Sequence, residues 1–183
     1  MGEPAGIGGE ILLAAWRHLA GSGPVFVAID DPARLQALPG GTPIEVVAEP
    51  GEAAAVFGRA LPVLPLGQRV AVNPGQPDPR HGAAVIASIV RAVALTRAGA
   101  TAAVVTNPIH KATLYAAGFG FPGHTEFLAE LAGGLQPVMM LAGPSVRVVP
   151  LTVHIALAEV PHRLDAQAIV RQALIVVEAP AAV

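Results

Sequence analysis

Apolar residues recur at helical spacing through residues 6–20 (GIGGEILLAAWRHLA), which predicts an amphipathic helix, and Gly21 stands where a left-handed C-terminal cap would end it. Residues 24–29 (PVFVAI) form a short continuous apolar run, which predicts a strand. Asp30-Asp31-Pro32 then caps and begins a helix over ARLQAL. Further short strands are predicted at 43–48 (PIEVVA) and 61–66 (LPVLPL), the second assigned to a sheet edge or an irregular segment because of its internal proline. The proline-rich stretch 72–80 reads as a loop or crossover, and a lobe boundary is expected near 72–106.

A long helix over 82–98 precedes the β-branched run 101–106 (TAAVVT), a predicted strand that ends in the polar segment TNPIHK. Helices are expected at 111–117 and 125–132 on either side of a glycine-rich turn at 118–123. Strands are expected at 138–142 and 146–152, and Asp165 is placed to cap a last helix running to about Val177. This alternation predicts an α/β/α sandwich with a mostly parallel sheet. Polar loops at the carboxyl ends of such strands are where open α/β sheets bind ligands.

Of the 183 residues, 53% are hydrophobic and 13% charged, enough apolar material for a globular domain. The formal charge of -2 provides no cationic surface for nucleic acid or anionic membrane. Without cysteine, any metal must be held by histidine, carboxylate or carbonyl groups. No apolar run is long enough to span a bilayer and the first residues do not read as a signal peptide, so a soluble, cytoplasmic protein is expected.

Three segments carry candidate chemistry. GEPAGIGGE places small residues before the first helix, where backbone amides can approach an anion; a tight strand-to-helix turn explains the same residues without a ligand. In TNPIHK, Lys111 is either a point charge for phosphate or a solvated lysine. In GHTE, His124 and Thr125 can donate to a bound anion, or serve as a helix cap with Glu126 complementing the helix dipole. His154 emerges at the end of an apolar strand and is a candidate metal ligand, although one imidazole makes no site. His18, His81 and His162 have no chemical neighbours in sequence and are assigned to surface or loop.

Read together, these segments resemble the 4-hydroxythreonine-4-phosphate dehydrogenase family. MGEPAGIGGE is similar to its M-G-D/E-P-A-G-I-G-P-E, with Gly9 where proline is usual. TNPIHKATLYAAGFGFPGHTEFLAEL resembles its T-x-P-V/I-x-K…F-x-G-H-T-E-F-L-A signature. VMMLAGPSVRVVPLTVHIAL resembles its V-M-M-L…T-x-H-I-P-L, with Ala156 in place of proline.

The resemblance implies a fold like that of the isocitrate and isopropylmalate dehydrogenases, with the site completed across a homodimer. It assigns substrate contacts to His124 and Thr125 and a divalent-metal ligand, for zinc, magnesium or cobalt, to His154. It names no catalytic or cofactor-binding residue in this chain. The implied reaction is the NAD- or NADP-dependent oxidation of 4-(phosphooxy)-L-threonine, with decarboxylation to 3-amino-2-oxopropyl phosphate, in pyridoxal-phosphate biosynthesis.

The family's N-P-H-A-G-E, Y-H-D-Q-G and D-H-G-T-A motifs do not occur in these residues, and the opening turn lacks the strand that usually feeds it. A partial dehydrogenase truncated at both ends, incomplete in its C-terminal part and without turnover on its own, is therefore the expectation. The rival readings are a dehydrogenase of a related phospho-threonate or phospho-erythronate, and a non-catalytic truncated fragment.

Overall fold

The computed structural model describes residues 1–179. The chain divides into two compact units, Met1–Gly133 and Gly134–Val183, so the stretch 72–106 falls inside the first.

The first unit opens with α1 (Gly8–Leu19), β1 (Ala28–Asp30), α2 (Pro32–Gln36) and β2 (Ile44–Val46). A 3-10 turn at Pro50–Glu52 leads into α3 (Ala53–Phe57) and β3 (Leu61–Pro65). After a long loop and a second 3-10 turn at Pro79–His81 come α4 (Gly82–Arg97), α5 (Lys111–Ala116) and α6 (His124–Leu131). The three strands form a parallel sheet in the order β1-β3-β2, with Ala28 opposite Val63 and Ile44 opposite Leu61.

The segment expected at an edge is thus the central strand, and its proline positions explain why this is permitted. Along β3, hydrogen bonds alternate between neighbours: Leu61 N–H donates to Pro43 O and Val63 O accepts from Val47 N–H on one side, while Leu66 N–H donates to Asp30 O on the other. That alternation turns the Pro62 nitrogen toward β1 one step before β1 begins, and the Pro65 nitrogen toward β2 beyond its end. Neither missing N–H interrupts the ladder.

Both faces of β3 are covered, as its continuous apolar sequence requires. Leu61 and Val63 pack with Leu13 and Trp16 of α1 and with Leu35, whereas Leu64 on the opposite face packs with Val47, Val56 and Leu95 of α4. This is the α/β architecture with a parallel sheet that the sequence predicts. Asp31 caps α2, its side chain accepting from Ala33 N–H at 3.0 Å, and Pro32 fills the first helical position.

Two predicted strands differ from expectation. Residues 24–27 lie outside β1, leaving Val25 exposed. Thr101–Thr106 pairs with no strand among the described residues, and Val105 is 95% exposed, because a β-branched run becomes a strand only where a neighbour accepts its hydrogen bonds.

A further core lies among α4, α5 and α6, where Val85, Ile89 and Leu114 meet Phe119 and Phe127. Phe119, Phe121 and Phe127 pack with centroids 5.0 to 5.5 Å apart, and this aromatic group fixes the turn that launches α6.

In the second unit, β4 (Leu141–Ala142) and β5 (Arg147–Val148) pair antiparallel as a hairpin, far shorter than the predicted strands and separate from the parallel sheet. Gly143 N–H closes the turn on Val146 O at 2.9 Å. A 3-10 turn at Leu157–Glu159 and α7 (Val160–Arg163) precede α8 (Ala166–Glu178). Asp165 caps α8 as predicted, accepting from Ala168 N–H at 2.7 Å. The predicted end of that helix near Val177 agrees with Glu178 as its last residue.

Candidate functional site

The opening turn and the TNPIHK loop are built against each other. Glu3 N–H donates to Pro108 O at 2.8 Å, and a Cβ on Gly2 would collide with Pro108 O, so only glycine allows this approach. A Cβ on Gly8 would sit 3.1 Å from that of Asn107.

Amides of the turn itself are bonded within it. Ala5 N–H donates to the buried Glu3 carboxylate at 3.0 Å and Gly6 N–H to Glu3 O at 3.1 Å. These bonds support the tight structural turn, the reading of this segment that needs no ligand. From below, Arg34 donates to Pro4 O at 3.2 Å while forming a buried ion pair with Asp30 at 2.6 Å.

The loop after Pro108 turns into α5 through His110, whose Nδ1 accepts from Thr113 N–H and also contacts the Thr113 hydroxyl. His110 is thus a helix cap, a role that the sequence does not signal because histidine is not among the usual capping residues. Capping places Lys111 on the first turn of α5. The aromatic turn then brings Gly123 and the start of α6 alongside it. Lys111 Nζ lies 3.6 Å, and Glu126 Oε2 3.5 Å, from the position a Cβ on Gly123 would take.

His124 is half-buried here, and its Nε2 is shielded from solvent with no hydrogen-bond partner. Burial, followed by the positive charge of Lys111, holds its pKa below the ordinary 6.5, so the ring is neutral at pH 7. Thr125 is exposed beside it. The structure thus links the three segments of the first unit in sequence: the opening turn seats the loop, the loop carries Lys111, and Lys111 lies beside Gly123, which precedes His124.

His154 belongs to the second unit and is exposed. Its φ of 59° makes it the only non-glycine residue with positive φ among the described residues. This left-handed backbone costs roughly 1–2 kcal/mol for an L-residue. Among the described residues no three His, Cys, Asp or Glu side chains gather to hold a metal, so the residues present do not by themselves form a metal centre. Nor is any helix among them long and apolar enough to cross a membrane.

A parallel sheet of three strands covered on both faces by apolar packing defines the class: an α/β protein. The family model described as pyridoxal phosphate biosynthetic protein PdxA matches residues 24–182, and the chain belongs to this family.

It is 46% identical over 184 residues to the 4-hydroxythreonine-4-phosphate dehydrogenase of Caulobacter vibrioides, covering 97% of this chain and 55% of that protein. It is 49% identical over 188 residues to that of Methylorubrum populi, covering 96% and 54%. The crystal structure of a 4-hydroxythreonine-4-phosphate dehydrogenase from Burkholderia phymatum superposes with a TM-score of 0.85 at 30% identity, covering 95% of this chain and 54% of that one. The chain spans about half the length of the curated relatives it matches.

Proposed function

We propose that these residues form the substrate-holding part of an NAD- or NADP-dependent dehydrogenase that oxidises 4-(phosphooxy)-L-threonine, with decarboxylation to 3-amino-2-oxopropyl phosphate. Family membership supports the reaction class. The observation that carries the assignment of this site is the unpartnered, solvent-shielded Nε2 of His124 at the start of α6. Buried polar atoms rarely go unpaired, and a substrate oxygen supplies the missing partner.

In this reading the neutral His124 ring and the Thr125 hydroxyl orient the substrate through hydrogen bonds. The aromatic core beneath α6 keeps them fixed, so the ordering cost is met on folding rather than on binding. Bound NAD or NADP supplies the hydride acceptor. His154 is proposed as one ligand of a divalent ion, a reading supported by its exposed position just after the hairpin unit's extended segment. The apolar side chains that α8 leaves exposed, Ile169, Val170, Leu174 and Val177, support a homodimer, and the cytoplasm is the proposed compartment.

The chain is expected to bind 4-(phosphooxy)-L-threonine saturably by calorimetry, and His124→Ala to weaken that binding about tenfold or more. Absence of saturable binding by the folded chain contradicts the proposal.

A further inference from the structure

Two adjacent carboxylates are buried at the carboxyl end of β1, and packing alone does not require them. Asp30 is 1% exposed and Asp31 5%. Burying charge is costly, and apolar residues of similar volume often stabilise a core at least as well as an ion pair does. The hydrogen bonds that these acids organise show what they achieve. Asp30 accepts from Arg34 Nε at 3.0 Å and from Nη2 at 2.6 Å, which leaves Nη1 to donate to Pro4 O at 3.2 Å. Asp31 divides its two oxygens: Oδ1 caps α2 at Ala33 N–H, and Oδ2 accepts from Val70 N–H at 2.9 Å. Val70 leads into the loop after β3, whose Gly75 N–H donates to Ala5 O at 2.8 Å. Consecutive aspartates thus hold consecutive carbonyls of the opening turn, one through a guanidinium and the other through a loop. The same turn seats the TNPIHK loop, by the Glu3 N–H bond to Pro108 O and the close approach of Gly2 to Asn107.

We propose that Arg34 and Asp31 are positioning residues for ligand binding, which fix the opening turn and, through it, the TNPIHK loop that leads into α5 beside Gly123. Both side chains are buried, so their effect passes through the turn's carbonyls, Pro4 O and Ala5 O. This rests on the substrate site proposed above, because it names what holds a loop next to that site. Arginine suits the task where lysine does not. Its planar fork spans a carboxylate with two bonds and still has a donor for a third group, whereas a lysine ammonium is a compact point charge. Asp31 supplies the second anchor, so the turn does not hinge on one bond.

The test compares Arg34→Lys, which keeps a charge for Asp30 but cannot span to Pro4 O as well, with Asp31→Ser, which keeps a capping oxygen for α2 but has none left for Val70 N–H. Val56→Ala is the control, since it removes packing on the opposite face of β3 and touches neither anchor. Amide spectra of the full chain and calorimetric titrations with 4-(phosphooxy)-L-threonine are recorded for the native protein and each variant. Arg34→Lys and Asp31→Ser are expected to move the amide signals of Asn107, Ile109 and His110 and to weaken substrate binding about threefold or more. Val56→Ala is expected to lower the melting temperature and to leave those signals and the affinity at their native values, a separation that a merely structural role for the two anchors would not produce.

Unmoved loop signals in Arg34→Lys overturn the proposal, as does native substrate affinity in that variant. An equal loss of affinity in Val56→Ala also overturns it, by showing that binding follows stability. If Arg34→Lys does not fold, Asp31→Ser decides by the same two readings. If the native chain binds no substrate, the dehydrogenase reading falls, and the loop signals alone decide whether the anchors set the loop.

Discussion

Arg34 ties the opening turn to the sheet. Its guanidinium is 4% exposed and pairs with Asp30, itself 1% exposed, while also bonding to the Pro4 carbonyl. Gly9 has no side chain because a Cβ there would lie 2.5 Å from Leu38 and 3.2 Å from the guanidinium. Removing one member of a buried pair strands the other charge in a poorly solvated place, so Arg34→Met is expected to cost about 3–5 kcal/mol. Urea unfolding measures this directly; a loss below about 1 kcal/mol would mean the pair is solvated in practice.

His124 gives a second expectation at this scale. Its folded pKa lies below the unfolded 6.5, so the unfolded chain binds the proton first as pH falls. The stability linked to the neutral ring is therefore complete above pH 6.5 and is lost as pH falls from 6.5 through the lower folded value. His124→Gln should flatten that part of the stability-pH curve, and parallel curves for the two proteins would contradict the assignment.

At the scale of elements, local rules served where the element is self-contained. The helical stripe of α1, the aspartate caps of α2 and α8 and the glycine-rich turn before α6 are all legible, because each depends on residues within a turn or two of one another. Asp165→Ala is expected to cost about 1 kcal/mol of helix stability by leaving the Ala168 amide unpaired. Loss of far-ultraviolet helical signal at lower temperature would register it, and an unchanged melt would show that α8 does not depend on its cap.

Where pairing decides the element, sequence alone was insufficient. Pro62 and Pro65 argue against a central strand only if both neighbours extend alongside them, and the short β1 and β2 do not. Thr101–Thr106 has the composition of a strand but no ladder among the described residues. The site shows the same division. His124 and Thr125 are recognisable by motif, yet the approach of Lys111 to Gly123 depends on the aromatic packing of Phe119, Phe121 and Phe127, which brings two helix starts together. The ion pair of Asp30 with Arg34 went unread, although its four-residue spacing across a strand-helix junction is visible in the sequence.

At the scale of the molecule, the two compact units differ in how much they bury. In the first, Leu61, Val63 and Leu64 are wholly inaccessible to solvent. In the second, α8 contains no buried residue. Amide exchange is therefore expected to be slowest along β3 and fast throughout α8, and comparable protection in both would show that α8 is covered by another surface in solution.

The proposed substrate site at the start of α6 is tested most directly by titrating the chain with 4-(phosphooxy)-L-threonine while following the histidine ring resonances. The prediction is a saturable shift at His124 with His18 and His162 unmoved, abolished by removing the substrate's phosphate. Saturable binding that leaves His124 untouched would contradict the account.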